Sequence, residues 1–286
     1  MKTIDYIKNR QKIWAGLNNV ILTGSKNERG EKMYTSFLNN NLFQPLSQET
    51  EKEIKNGDGN EFGDNLYPGK IQALHSSSAL AVNIFDYWRN IKDKTTLAKS
   101  LRINSRNLQQ ICFEKKYKVI NGSNDIPPNI DVVIEYENGD CCAIECKFSE
   151  PFNKRSDNYG LKAKYLTKFD FWSDLSNIKK LAEKISPNDT ICHKLHCAQL
   201  IKHILGLIKH YNGNKNRFTL LYLYYDVFGE DGCRHNNEVN EFYQIVKADN
   251  ISFKAITYQE LIINMYTMVC NTEHEPYIEY LCRRYL

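Results

Sequence analysis

The sequence predicts an α/β fold: a mixed central β-sheet flanked by helices, preceded by an N-terminal helical segment. Three observations carry this expectation. A β-branched run at 131–136 is joined by a turn at Asn138-Gly139 to a second strand-like run at 141–148, a long amphipathic pattern covers 191–211, and strand-like runs at 218–228 and 253–258 alternate with helical stretches. Composition agrees: 286 residues, 42% apolar, 38 Lys+Arg against 34 Asp+Glu, the profile of one large globular domain or two small ones. The longest apolar runs, at 220–225 and 261–268, fall short of the roughly 20 residues that span a bilayer. No membrane segment is expected. The N-terminus has no apolar h-region, and the nine cysteines include no CxxC pair, so reduced thiols and a cytoplasmic location are expected.

Residues 1–68 read as an N-terminal helical extension and 69–286 as the core. In the extension Ile4, Ile7, Ile13, Trp14, Leu17, Val20 and Ile21 recur at near-helical spacing until glycine and asparagine at 56–60 and Pro68-Gly69 interrupt the pattern. A serine-capped helix is predicted at 76–91, with Leu80, Ile84, Tyr87, Trp88 and Ile91 on one face, and a short helix at 96–101. Residues 111–119 predict a strand. Turn residues at 121–125 and Pro127-Pro128 then lead into the hairpin, whose strands run 131–136 and 141–148. Beyond it lie the helix at 191–211, the strands at 218–228 and 253–258, and a helical stretch at 259–269.

The hairpin carries the chemistry. Asp131 opens its first strand and Glu145 nears the end of its second, so a tight turn brings two carboxylates together. Lys147 falls on the same face as Glu145, and Cys146 on the opposite one, because side chains alternate along a strand. Converging carboxylates make a hard oxygen site suited to Mg²⁺, and an adjacent ammonium can hold water or stabilise charge on a phosphate under attack. Metal-assisted phosphodiester hydrolysis is the chemistry such a set performs.

Pro128-Asn129-Ile130-Asp131, a turn, and Glu145-Cys146-Lys147 resemble the PD-(D/E)xK nuclease superfamily, the restriction-endonuclease-like fold. Similarity to bacterial restriction-endonuclease-like proteins extends to the Ser-Ser-x-Ala-x-Ala-Val-Asn run at 76–83 and to Tyr258-Gln259-Glu260, covering residue 67 to the end. The resemblance implies that Asp131 and Glu145 bind Mg²⁺, with Mn²⁺ as an alternative, that the Cys146 carbonyl completes the metal shell, and that Lys147 positions the nucleophilic water. It implies accessory roles for Glu114, although its neighbours read as strand where the family has a helix, and for Gln199. The departure is at the proline, since Asn129-Ile130 separate Pro128 from Asp131. The implied activity is Mg²⁺-dependent endonucleolytic cleavage of duplex DNA in restriction or defence. A homodimer would place one site on each strand. A same-fold nuclease of repair or RNA processing, and a non-catalytic DNA-binding module, are the alternatives.

Lys154, Arg155, Lys162, Lys164 and Lys168 follow the catalytic strand and are expected to contact the DNA backbone, positioning the duplex without reading its sequence. His193 or His203 could meet DNA phosphates as well. The run from Cys192 to Cys197 carries zinc-type ligands but lacks the second ligand pair of structural zinc sites, so ordinary helix positions are expected there. Cys141, Cys142 and Cys146 are expected to pack as small apolar side chains.

Overall fold

The structure of the chain, a computed structural model, describes residues 2–25, 32–64, 66–122, 126–153, 159–269 and 271–286. Its elements begin with α1 (Thr3–Leu17), the short pair β1 (Leu22–Thr23) and β2 (Tyr34–Thr35), α2 (Gln48–Lys55), α3 (Ser77–Arg89) and α4 (Thr95–Ser100). The strands β3 (Leu108–Lys116), β4 (Asn129–Tyr136) and β5 (Cys141–Lys147) follow, then α5 (Ala163–Lys168), α6 (Ser176–Lys184) and α7 (Cys197–His210). The chain ends with β6 (Phe218–Tyr224), α8 (Glu230–Ala248), β7 (Phe253–Thr257), α9 (Tyr258–Val269) and α10 (Glu275–Tyr285).

Five strands form one sheet in the order β3-β4-β5-β6-β7. The first three make an antiparallel meander, and β5, β6 and β7 run parallel, which is the mixed sheet expected. The β4–β5 turn closes where the sequence signals it: Gly139 takes φ +79°, its N–H donates to the Tyr136 carbonyl at 2.8 Å, and glycine adopts that conformation without a Cβ clash. Helices cover both faces, so the central strands are apolar on both sides. Cys142, Ile144 and Cys146 of β5 and Leu221 and Leu223 of β6 join one apolar layer with α3, α9 and α10. Cys141 and Ala143 of β5 and Leu220 and Tyr222 of β6 join the other, with α6, α7 and α8. The cysteines therefore pack as small apolar groups, as expected. Among the described residues no helix is long and apolar enough to cross a membrane.

Helix α3 starts where predicted, with the Ser76 hydroxyl accepting the Ala79 N–H at 3.2 Å. Boundaries elsewhere moved. The strand expected at 111–119 occupies 108–116, and the helix expected at 191–211 begins only at Cys197. Two carboxylates explain the second shift: half-buried Asp189 accepts the N–H groups of Ile191 and Cys192, and buried Glu238 those of His193, Lys194 and Leu195. With those donors bound to side chains, the segment forms a turn instead of a helical start. The sequence reading places no helix at 230–248, where α8 forms and buries His235, Val239, Phe242 and Val246 at helical spacing in an otherwise polar segment.

The N-terminal helices pack into the same layer as α9 and α10, through Ile7 of α1 and Ile54 of α2. Arg284 of α10 is buried beneath them. Its guanidinium donates to the Asn41 carbonyl at 2.8 Å and to the Gln11 side chain at 3.1 Å, and lies 4.1 Å above the Trp14 ring. A buried cation is tolerable only with such partners.

Candidate active site

The backbone places the carboxylates. Pairing between β4 and β5 ends at Val132 with Ile144, one residue short of Asp131 and Glu145, so the strands part just where these residues sit. The Asp131 carboxylate fills the gap by accepting the Cys146 N–H at 2.7 Å. On the other side of β4, Phe113 pairs with Val132 and Lys115 with Ile130, which leaves Glu114 opposite Asp131. Glu114 has φ +52°, in the left-handed region. Such a conformation costs an ordinary residue of order 1 kcal/mol or more and persists only where the surroundings impose it, commonly at functional sites.

Glu145 is fully buried, and both its oxygens are engaged. Lys147 Nζ donates to Oε1, and His203 Nε2 lies 2.7 Å from Oε2. Burial alone would raise the Glu145 pKa, but the Lys147 ammonium and the His203 contact outweigh it and hold the group down at about 2. Burial likewise works against a charged Lys147, yet the Glu145 and Asp131 carboxylates hold its ammonium well above the usual range. Asp131 moves the other way, raised well above the usual carboxylate range by burial and by the adjacent Glu145 charge. Two neighbouring carboxylates are thus driven apart, one ionised and one favouring its proton. A divalent cation reverses that push, since its charge favours the ionised form of both.

A cleft of about 580 Å³ opens onto Asp131, lined among others by Glu61, Glu114, Gln199, Lys162 and Lys164, while Glu145 and Lys147 lie behind Asp131 and outside the lining. Glu114 accepts a hydrogen bond from the Asn129 amide at 2.8 Å, and burial raises it to about 7. Gln199, on the first turn of α7, has its Oε1 3.0 Å from His196 Nδ1, and burial lowers His196 to about 3. An uncharged His196 that donates to the Gln199 oxygen leaves the amide nitrogen of Gln199 free to turn toward the cleft. The oxygen-rich donors Asp131 and Glu145, with the backbone of Cys146 beside them and its side chain turned into the opposite apolar layer, fit a hard divalent cation.

The fold therefore brings Asp131, Glu145, Lys147, Glu114 and Gln199 to one place, with Lys162 and Lys164 at the cleft wall. Lys168 lies exposed at the end of α5, outside the lining, and Lys154 and Arg155 lie outside the described residues. His203 corrects the sequence expectation. It is fully buried against Glu145, out of reach of any phosphate. Spacing could have flagged it, because it stands four residues after Gln199 on the same helix face. Glu61, hydrogen-bonded to Ser78, and Lys202 also line the cleft. Glu61 is in a loop with no periodic signal, so only tertiary structure reveals it.

Ligand atoms of Asp189, Cys192 and Cys197 also lie within 4.8 Å of one another. Asp189 is committed to the turn before α7 through its bonds to the Ile191 and Cys192 N–H groups, and His193 is exposed.

The sequence model of one protein family, described as Restriction Endonuclease associating with ARP, matches residues 8–286. The chain belongs to this family. Restriction-endonuclease-associating-with-ARP membership thus covers nearly the whole chain, starting well before residue 67, where the motif resemblance starts, and it agrees with the five-stranded mixed sheet. It places the chain among restriction-endonuclease-like nucleases of defence systems. Among curated proteins and among solved structures, nothing matches the chain significantly.

Proposed function

We propose that this chain is a metal-dependent endonuclease that hydrolyses DNA phosphodiester bonds in restriction or a related defence. The observation that carries the reading is the meeting of Asp131, Glu145 and Lys147 where β4 and β5 part, beneath a cleft walled by lysines. Asp131, Glu145 and the Cys146 carbonyl are the groups that would hold Mg²⁺, or Mn²⁺ as an alternative. A cation there would supply Lewis-acid polarisation of the scissile phosphate.

The protein's own residues account for the rest. Lys147 Nζ donates to the attacking water and offsets the negative charge that grows on the phosphate oxygens. Glu145 holds that ammonium in place before substrate arrives, which fixes its position without reorganisation during the reaction. Glu114, near neutrality in its pKa, is suited to passing a proton to or from water at working pH. The Gln199 amide donates to a phosphate oxygen. Lys162 and Lys164, with Lys154, Arg155 and Lys168, hold the duplex backbone. In-line attack leaves a 5′-phosphate, and a homodimer would cut both strands.

The test is incubation of wild-type and Lys147→Ala protein with plasmid DNA, genomic DNA, single strands and RNA, with Mg²⁺ or with EDTA, followed by end-mapping. Metal-dependent DNA cutting by wild type alone supports the reading. Cutting confined to RNA would replace it with an RNA-processing nuclease, and cleavage of nothing with a binding module.

A further inference from the structure

Helix α7 faces the sheet with His203, and Glu145 is the only hydrogen-bond partner of that ring among the described residues. Nε2 stands 2.7 Å from Glu145 Oε2, while the buried Nδ1 has no partner. Glu145 and His203 are both fully buried. Glu145 is acceptor-only when ionised, so Nε2 carries the hydrogen.

This arrangement is costly as mere packing. A buried imidazole with one unsatisfied nitrogen loses free energy that leucine or methionine of similar size would not. Among the α7 positions that face the sheet, Leu200, Ile204, Leu207 and Ile208 are the apolar residues that packing selects. His203 stands among them with its single bond aimed at a candidate metal ligand.

We propose that His203 is a positioning residue for the metal site. It pins the Oε2 end of Glu145 from α7, as Lys147 engages Oε1 from the same strand, and so sets the carboxylate's orientation before a cation arrives. When Lys147 turns to water or phosphate, His203 is the contact that keeps Glu145 from rotating. Outer-shell partners of metal ligands act in this way, and losing one weakens metal binding by about 10- to 100-fold. The inference rests on the metal reading of Asp131 and Glu145.

The test measures Mn²⁺ binding to the full chain by calorimetry and electron paramagnetic resonance, without DNA, in wild type, His203→Gln, His203→Leu and Asp131→Asn. Gln keeps a donor within reach of Glu145, and Leu fills the space without one. Thermal melts confirm that both variants fold. The expected result is a wild-type site lost in Asp131→Asn, an affinity about 10-fold or more weaker in His203→Leu, and most of it restored in His203→Gln. In a Glu145→Gln background the Leu variant should cause no further loss. Equal affinities for His203→Leu and His203→Gln overturn the positioning role while leaving the Asp131 site intact. If wild type binds no Mn²⁺, or Asp131→Asn binds as tightly as wild type, the metal reading itself falls and the positioning role with it.

Discussion

The Asp131 carboxylate accepts the Cys146 N–H at 2.7 Å, so a side chain from one strand replaces the backbone pairing that the next strand loses. That bond spans the gap between β4 and β5 and holds Asp131 beside Glu145 and Lys147 at the edge of the cleft. The consequences can be measured.

Removing Lys147 leaves a buried, ionised Glu145 with only His203 to meet it. Lys147→Met is expected to lower cleavage by about 100-fold or more, the scale of losing one preorganised charge-stabilising group. Stability should fall too, by about 3 kcal/mol, because one partner of a buried pair is stranded. Adding Glu145→Gln should restore part of that stability but none of the activity. Urea unfolding beside cleavage rates separates the two effects.

Glu114 binds its proton more tightly in the folded chain than in the unfolded one, where the value is near 4.5, and burial is the main cause. Between pH 4.5 and about 7 the folded state therefore holds more protons, so this carboxylate's contribution to stability declines as pH rises through that window. Glu114→Gln removes the titration. Melting temperatures measured from pH 4.5 to 8 should show the variant gaining on wild type as pH rises, with the difference levelling off above pH 7. A constant difference across the range would count against the buried, high-pKa assignment.

Lys162 and Lys164 line the cleft wall. If they meet phosphates, the double alanine variant should bind unrelated duplexes more weakly by a similar factor for each. The slope of log K against log salt should also shrink by about 0.9 for each phosphate that is no longer neutralised. Fluorescence anisotropy at several salt concentrations reads both. An unchanged slope would place the duplex elsewhere.

Gly206 lets α7 approach the segment that follows β3, since a Cβ there would come within 2.9 Å of the Tyr117 carbonyl oxygen. Alanine is the better helix former by about 1 kcal/mol. Gly206→Ala should nonetheless destabilise the chain, by about 1–3 kcal/mol, because the helix must move away from the backbone of Tyr117 just past the end of β3. Being one turn from His203, the shift should also weaken metal binding. Denaturant midpoints and Mn²⁺ titration test it.

The hairpin, its Asn138-Gly139 turn and the alternation that puts Glu145 and Lys147 on one face are local facts, set by turn chemistry and the period of a strand, and the sequence determined them alone. The Ser76 cap and the apolar cysteines of β5 are local in the same way. Tertiary structure decided the rest, because it depends on contacts between residues far apart in the chain. Glu238 stops α7 from starting early by binding N–H groups more than forty positions away. Glu61 reaches the cleft on an irregular loop, and His203 finds Glu145 across 58 positions. A histidine in an apolar helix reads the same in sequence whether it meets solvent, a phosphate or a buried carboxylate. Only packing the helix against the sheet supplies the partner and, with it, the role.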